Sequence, residues 1–324
     1  MAHQITISWT AASGLIDGYN IYRGTAAGNE APPPLNGSSL IVGTSFEDDA
    51  VFPGRVYSYS VRSVRHGVES ISSIDIVAPP VPFPPSPSHL DLGAAVSFGV
   101  LAGSTITNVP GTETRVTGDV GVSPGTSITG MDFPAFISGV FHRGDFVSAA
   151  AESSLVSAMS AAHALTGAVT LLGDIGGQTL VPGLYQASSS LGITGQLILD
   201  AQGDPNAVWI ICVGSSLTTA ASNSSVVLVG GAEAANVYWI VGSSATLGVD
   251  TAFAGNILAE VSITVNTRAS VNGRLLAHTG AVTLDHNGVV MFQACNLEPL
   301  PASPPNTPPP PPAPPTNVHV QSEN

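Results

Sequence analysis

The sequence predicts a mainly β protein: a stack of irregular β-coils, or β-solenoid, with one long α-helix alongside and a small β-sandwich before it. Three observations support this prediction. Short apolar strands punctuated by Gly, Asn and Ser repeat at varying intervals over most of the chain. One Ala-rich segment has helical spacing of its apolar residues. The N-terminal part alternates short strand patterns with turn residues.

The composition excludes several classes of protein. Of the 324 residues, 9% are charged and none is Lys, and 22 acidic residues against 8 basic ones give a formal net charge of −14. Phosphate groups repel so acidic a chain, so we expect neither nucleic acid nor an anionic membrane surface as partner. No apolar run reaches the roughly 18 residues of a membrane span. We therefore expect a globular chain, not inserted in a membrane, whose surface is polar without being charged.

Composition also divides the chain into four parts. Residues 1–78 carry strand patterns, and residues 79–88 form a stiff Pro-rich linker. Residues 89–297 form a large, charge-poor domain, and residues 298–324 hold a second Pro-rich linker and the start of a further module. The N-terminus shows no signal peptide. Both ends are expected to be cut from a longer tandem array.

Residues 1–78 contain the strand motifs of a known β-sandwich. Trp9 lies in the strand pattern ITISW, residues 18–24 read GYNIYRG, and Tyr57 begins the strand pattern YSYSV at a corner position. These motifs resemble those of a fibronectin type III domain whose first strand is missing. At the other end, PPTNVHVQ (residues 314–321) resembles the first strand of another such module. The resemblance implies a spacer or a weak partner-binding module.

Within the large domain, coils align with one another. Residues 245–259 align without gaps on residues 263–277, an offset of 18 residues that places Thr246 on Thr264. Residues 206–218 resemble residues 236–246, displaced by 28 to 30 residues. Repeats of this length cannot bury a core alone and must stack. Six apolar side chains are predicted to point inward: Leu247, Phe253, Ile257, Val265, Val271 and Leu275.

One segment of the large domain is predicted to be helical. Residues 144–167 are rich in Ala and place Phe146, Leu155, Val156, Met159 and Ala162 at helical spacing. Asp145 is predicted to cap the N-terminus, and Gly167 to stop a helix of about five turns. His163, near the end, is expected to be a capping or surface residue.

No motif indicates catalysis, a metal or a cofactor, and the prediction is that the chain is not an enzyme. Walker-type phosphate loops and the CxxC and HExxH metal-ligand spacings are missing from the sequence. Residues 178–284 hold only two Arg and five acidic residues, too few for a polysaccharide lyase site. His278, Asp285 and His286 do not have a recognised ligand spacing. For Cys212, both a buried thiol and a disulfide with Cys295 stay open.

Small hydroxyl and methyl side chains recur on the aligned coils. Residues 218–222, 248–252 and 266–270 would stack into a grid with spacings of about 4.8 Å between coils and about 6.7 Å along each strand. Thr side chains have few rotamers, so such a grid is rigid and matches ordered water better than a sugar or peptide. Asp250 and Arg268 are predicted to form an exposed pair on it. The predicted face consists of Thr219, Ala221, Ser222, Val249, Thr251, Thr267, Ala269 and Ser270.

Five segments, distributed over about 200 residues of the large domain, resemble the microbial ice-binding domain. They are residues 91–112, 116–130, 181–211, 230–242 and 255–285. The resemblance implies a triangular, discontinuous right-handed β-solenoid with a long helix alongside, which binds ice through one flat face. It also implies a Thr-Ala/Gly-x-Thr/Asn pattern on that face, approximated by residues 219–222 and 267–270.

The predicted function is ice binding that produces thermal hysteresis and inhibits ice recrystallisation, with moderate potency. The expected partner is the ice surface, and the expected location is extracellular, either secreted or on the cell surface. Two alternatives stay open. The domain could be an ice-anchoring module of a larger adhesin with tandem modules, or a carbohydrate-binding or lytic β-helix.

Overall fold

The computed structural model describes residues 4–30, 32–51, 55–71, 75–78, 86–132, 135–222 and 224–291. The C-terminal linker, the predicted strand at residues 314–321 and Cys295 lie outside the described residues. The predictions made for them, including the disulfide, stay predictions. Cys212 itself is buried, and burial raises the pKa of its thiol to about 11.

The N-terminal residues form two antiparallel sheets around a core of their own. One sheet pairs β1 with β3, and in the other β4 pairs with β2, β5 and β6. Ile7, Ile21 and Tyr59 are buried between them, as alternation along β1, β2 and β4 requires. The strands are β1 (Ile5–Ser8), β2 (Gly18–Gly24), β3 (Ser45–Asp48), β4 (Ser58–Arg65), β5 (Val68–Glu69) and β6 (Ile76–Val77).

From Phe98 onward, the chain visits three parallel sheets in turn, and we call each round of three strands a coil. Short 3-10 helices occur at Gly93–Ser97 and Ala234–Asn236. Two coils precede the α-helix: β7 (Phe98–Ala102), β8 (Thr105–Asn108), β9 (Arg115–Val116); β10 (Asp119–Val122), β11 (Ser127–Thr129), β12 (Phe136–Ile137). Then come β13 (Phe141–Arg143), α1 (Phe146–His163), β14 (Val169–Thr170) and β15 (Thr179–Leu180).

Five further coils follow. They are β16 (Gly183–Ala187), β17 (Leu191–Ile193), β18 (Gln196–Asp200); β19 (Trp209–Val213), β20 (Leu217–Thr219), β21 (Ser225–Val229); β22 (Val237–Val241), β23 (Ala245–Leu247), β24 (Ala252–Ala254); β25 (Asn256–Ala259), β26 (Ile263–Val265), β27 (Ser270–Asn272); and β28 (Leu275–Ala277), β29 (Val282–Leu284), β30 (Gly288–Val290).

The coils do not stack in chain order. The helix-covered sheet runs β13-β10-β7-β28-β25-β22-β19-β16-β14, so the first coil lies against the last. The second sheet runs β11-β8-β29-β26-β23-β20-β17, and we call it the threonine sheet because one Thr of most of its strands faces outward. The third sheet runs β12-β9-β30-β27-β24-β21-β18-β15. Because β13 and β14 lie at opposite ends of the first sheet, the segment between them must run along the stack. An 18-residue helix, about 27 Å long, covers most of that distance.

The core lies inside the coils and also between α1 and its sheet. All six side chains predicted to point inward are at most 2% exposed, which confirms the repeat alignment. The helix-covered sheet is buried on both faces, because Ile210, Ile240 and Leu276 point outward against α1. This accounts for continuous apolar runs such as WIICV, where alternation is absent.

The helix begins and is capped as predicted. Asp145 accepts a hydrogen bond from the backbone N–H of Ser148 at 2.9 Å, and this bond together with His142 lowers the pKa of Asp145 to about 2. Helix α1 ends at His163, four residues before Gly167. Phe146 and Val156 are exposed because they lie off the stripe that packs on the sheet. Within the described residues, no helix has the length and apolar character of a membrane span.

Candidate functional site

A straight row of threonines runs across the threonine sheet. In β26, Thr264 lies between the inward side chains of Ile263 and Val265, so alternation directs it to the outer face. Strand registers place one outward Thr of each neighbouring strand beside it. In spatial order the row is Thr129, Thr107, Thr283, Thr264, Thr246 and Thr218. Gly192 of β17 continues the row after Thr218.

The row is regular and uncharged. Strands about 4.8 Å apart make a row of six residues about 24 Å long. Each side chain offers one methyl and one hydroxyl group on a stiff χ1 torsion. Within the described part of the chain, no hydrogen bond uses any of these six hydroxyls, which leaves them free for water.

Small residues border the row on the side of the helix-covered sheet. Ser262, Ser244 and Ser216 each lie two residues before a Thr of the row and share its face. The hydroxyl of Ser244 accepts from the N–H of Ser262 at 3.3 Å, and that of Ser262 accepts from the N–H of Ala281 at 3.2 Å. These bonds fix the side chains of Ser244 and Ser262 along the border.

Three of the residues predicted to face ice are buried. Thr219, Thr251 and Ala269 are 3%, 1% and 0% exposed. Thr219 follows the outward Thr218 on the same strand, so alternation turns it into the core. Its hydroxyl lies 2.8 Å from that of Thr251 and accepts from the N–H of Gly248 at 2.8 Å. These three side chains hold the coils together and cannot contact ice, which corrects their assignment to the surface.

The other predicted residues lie along the corner between the threonine sheet and the third sheet. Ala221, Ser222 and Ser270 are exposed, whereas Val249 and Thr267 are half-buried. The last four coils turn this corner at a non-glycine residue with positive φ: Ser222 at 58°, Asp250 at 60°, Arg268 at 59° and His286 at 55°. The side chains of the predicted residues therefore do not lie in one plane, because alternation and the turn point them in different directions.

The predicted pair of Asp250 and Arg268 is confirmed on this corner. Arg268 donates from Nε to Oδ1 of Asp250 at 2.7 Å and from Nη2 to Oδ2 at 2.8 Å. The pair lowers the pKa of Asp250 and raises that of Arg268. Both side chains are exposed, so solvent screens the pair and it adds little to stability. It marks a charged limit beside the uncharged row.

The remaining surfaces of the coil stack are less regular. Helix α1 covers the first sheet. On the third sheet, Ala252, Ala254 and Gly288 leave a shallow groove beside the larger Val290. A flat crystal surface cannot contact so uneven a face along the whole length of the sheet. The threonine sheet is therefore the best candidate for a planar contact.

The residues considered for a metal site are not brought together. Nδ1 of His278 lies 3.2 Å from Oε2 of Glu152 on α1, whereas the carboxylate of Asp285 accepts from the hydroxyl of Thr267. His286 is exposed at the corner. Over the described ranges, no group of three or more His, Cys, Asp or Glu residues has an arrangement suited to a metal ion.

Replacing Thr219 by Val tests its structural role. Val fills the same space but leaves the N–H of Gly248 and the hydroxyl of Thr251 without their partner, which costs about 1–3 kcal/mol. We expect thermal denaturation to show lower stability. The thermal hysteresis expected per folded molecule should stay unchanged. Thr218→Val, a change at the outward neighbour, is the matched control and should leave stability within about 0.5 kcal/mol of wild type. Equal stability of both variants would contradict the buried role.

Comparisons with known proteins show which family the chain resembles. Residues 100–290 match the family model described as ice-binding-like. An ice-binding protein of Nostoc sp. (strain HG1) is 47% identical over 210 residues, which cover 64% of this chain and 76% of that protein. A solved ice-binding protein from an Antarctic biological consortium is 43% identical with a TM-score of 0.61, covering 64% of this chain and 94% of that one. The corresponding protein of Antarctomyces psychrotrophicus has 43% identity and a TM-score of 0.60, covering 64% and 100%. Since the family model matches more than half of the chain, this protein belongs to the ice-binding-like family.

Proposed function

We propose that the protein binds ice through the threonine sheet, and so produces thermal hysteresis and inhibits ice recrystallisation. The row of six outward threonines on adjacent strands is the observation that supports this most strongly. Relatives named ice-binding proteins support it independently.

The proposed mechanism is adsorption without catalysis. The hydroxyls anchor water at fixed spacings and the methyls order the water between them, while no charge on the row imposes a competing hydration shell. Because backbone pairing and stiff rotamers already fix the side chains, little conformational entropy is lost on binding. Ice between adsorbed molecules then grows as curved fronts, and curvature lowers the temperature at which growth continues.

The finer description of the architecture is also part of the proposal. Non-sequential stacking of parallel coils supports a discontinuous, right-handed β-solenoid of triangular cross-section. Two antiparallel sheets with their own core support a fibronectin type III-like module over residues 1–78, joined by the linker at residues 79–88 to an ice-binding domain over residues 89–297. Adsorption to ice requires access to external ice, so the proposed location is extracellular.

Nanolitre osmometry on the intact chain tests the function. We expect a gap between melting and growth temperatures that increases with protein concentration, together with faceted crystals inside the gap. The chain unfolded by heat and cooled quickly serves as control. Growth at the melting point with round crystals, at every concentration of folded chain, would overturn the proposal.

Lengthening the threonine row should strengthen the activity. Gly192 is the next position of the row, and a Cβ built there meets Asp174 at an ordinary contact distance of 3.6 Å. Gly192→Thr therefore adds a seventh hydroxyl and methyl without strain, and we expect larger thermal hysteresis at equal concentration. Gly192→Asp, which adds a charge at the same place, is the control and should reduce the activity. Equal hysteresis in wild type and Gly192→Thr would show that the contact with ice ends before the coil that contains Gly192.

A second function, anchoring of a larger surface protein to ice, is favoured by the module at residues 1–78 and by the Pro-rich linkers. In that case the same face would act as an adhesive rather than as a free antifreeze. The length of the full open reading frame distinguishes the two: tandem modules with a cell-surface anchor indicate an adhesin.

A further inference from the structure

Exposed apolar side chains gather at the two ends of the coil stack. Strands β11, β12 and β13 form one end, which we call the β13 end. Strands β14 and β15, with the segment 173–176 between them, form the other, which we call the β14 end. Apolar patches of this kind mark contact surfaces. Six large apolar side chains in or beside these segments are exposed: Phe136, Val140 and Phe141 at the β13 end, and Val169, Leu172 and Val181 at the β14 end.

Two of these side chains end a column of the core. In the helix-covered sheet, strand registers join Val169 to Phe141 through Tyr185, Trp239 and Val120, among others. The residues between the two ends are at most 5% exposed, whereas Val169 is 58% and Phe141 38% exposed. Among the residues that the structure describes, no strand pairs with the outer edge of β13 or β14. Each end therefore offers an apolar surface beside open backbone donors and acceptors.

An anion lies at the β14 end of the threonine row. Asp174 forms a parallel bridge with Gly192, the position that continues the row. Its Oδ1 accepts from the N–H of Gly176 at 2.8 Å and from that of Thr194 at 2.9 Å. Hydrogen bonds from Thr194 and Gly176 lower the pKa of Asp174, so its carboxylate is charged at neutral pH. Between residues 164 and 199 it is the only charged side chain.

A cation lies at the β13 end of the same row. The guanidinium of Arg143 donates to the carbonyl of Ile128 at 3.2 Å, and Ile128 precedes Thr129, the terminal Thr of the row. The same guanidinium lies 5.2 Å from the ring centroid of Phe141. Over the described ranges, neither Arg143 nor Asp174 has an ion-pair partner. The row therefore has opposite, unpaired charges at its two ends.

We propose that the β13 end of one copy docks on the β14 end of the next copy. Phe141 then covers Val169, and Arg143 pairs with Asp174. Because the terminal strands run parallel to their neighbours, this arrangement continues the sheets in the same direction. Contact between two identical ends would pair antiparallel strands and bring like charges together, which opposes it.

The proposed contact is heterologous, so it joins copies head to tail into open chains. The threonine rows of successive copies then follow one another along the chain of copies. Several faces contact one crystal with greater avidity than a single face does. This consequence rests on the proposed function, whereas the association itself does not.

Exchange of the two charges tests the contact on the full chain, in solution and without ice. In sedimentation velocity, the average mass of wild type should exceed twice that of one chain as concentration rises. In Arg143→Glu and in Asp174→Arg, like charges meet at each contact, so the association constant of each variant alone should fall about tenfold or more. An equal mixture of the two variants, and the double variant, bring opposite charges together again and should associate as wild type does.

A second pair of variants tests the apolar part of the contact. Val169→Lys places a charge at the exposed end of the core column and should weaken association by a similar factor. Val261→Lys is the matched control, because Val261 is exposed between β25 and β26 in the middle of the stack, and it should associate as wild type does. The melting temperature of each variant shows that it is folded.

Four results would overturn the proposal. Wild type that stays monomeric at every concentration lacks the contact. Equal association of wild type, Arg143→Glu and Val169→Lys places the contact elsewhere. A mass that stops at two copies shows a closed dimer, and a mixture that does not regain association shows that the two charges do not meet.

Asp174→Asn replaces Asp174→Arg if the latter does not fold. Asn keeps the oxygen that accepts from Gly176 and Thr194 and loses the charge, so weaker association is expected, and unchanged association contradicts the charge pair. Osmometry distinguishes this contact from the proposed function. Wild type that is monomeric yet shows thermal hysteresis contradicts the docking alone, whereas wild type that associates without hysteresis contradicts the ice binding alone.

Discussion

Thr264→Tyr is expected to abolish most of the thermal hysteresis while leaving the fold intact. Thr264 lies in the middle of the row, with Thr246 on one side and Thr283 on the other. A Tyr ring there stands several ångströms above the plane and holds the flanking threonines away from a flat ice surface. Central residues dominate rigid interfaces, so we expect hysteresis below about a tenth of the wild-type value at equal concentration. The measurement is nanolitre osmometry on protein whose melting temperature has been determined.

Two smaller replacements at the same position separate the contributions. Thr264→Val keeps the branched shape and loses the hydroxyl, whereas Thr264→Ser keeps the hydroxyl and loses the methyl. If the hydroxyl and the methyl both order water at fixed spacing, the thermal hysteresis of each variant should lie between that of wild type and that of Thr264→Tyr. If Thr264→Tyr keeps its full hysteresis and its melting temperature is unchanged, the row does not contact ice.

The second large effect concerns stability as a function of pH. Glu152 points from α1 into the helix-covered sheet, and its side chain is 10% exposed. Oε2 lies 3.2 Å from Nδ1 of His278, while Oε1 is buried without a hydrogen-bond partner among the described residues. Burial disfavours the charged carboxylate and raises its pKa to about 8, from an ordinary value of 4.5.

The direction of the pH dependence follows from these two pKa values. Between pH 4.5 and about 8 the folded protein keeps the proton on Glu152, whereas the unfolded chain has lost it. The folded state then binds more protons, so the free energy of unfolding falls as pH rises through this window and levels off above it. The total change is a few kcal/mol, since each unit of pKa difference corresponds to about 1.4 kcal/mol.

Glu152→Gln should remove this dependence. Gln resembles the protonated carboxyl group at every pH, so the melting temperature of the variant should change less than that of wild type between pH 5 and about 8.5. Above pH 8 the variant should be the more stable protein. Glu113→Gln, at a side chain 53% exposed, is the control and should retain the wild-type slope. Parallel slopes for wild type and Glu152→Gln would contradict the buried, protonated state.

Much of the core could be predicted from the sequence because stacked coils repeat their inward side chains. The offset of 18 residues placed Leu247 beside Val265 and Phe253 beside Val271, as the registers of the sheets confirm. The same alignment paired Thr246 with Thr264, two members of the row. The signal that identifies the face is a Thr between two inward apolar residues, as in ATL, ITV and VTL.

The predicted site missed this row because alignment gives neighbours across coils but not direction within a coil. Thr218 and Thr219 are adjacent and of one type, yet one points to solvent and the other to the core. The chain turns the corner after Thr219 at Ser222, which has a positive φ. Gly would have indicated such a turn in the sequence, but Ser does not. Thr107 and Thr129 join the row only because the first coils stack on the last, a pairing of distant segments that no local pattern encodes.

Comparison of Thr246→Tyr with Ser270→Tyr tests most directly which surface contacts ice. Both positions lie on the stacked coils, Thr246 in the threonine row and Ser270 at the exposed start of β27 on the third sheet. At equal concentrations and with matched melting temperatures, we predict that Thr246→Tyr loses most of its thermal hysteresis and that Ser270→Tyr keeps the wild-type value. Loss in Ser270→Tyr with retention in Thr246→Tyr would place the ice contact on the other side of the corner.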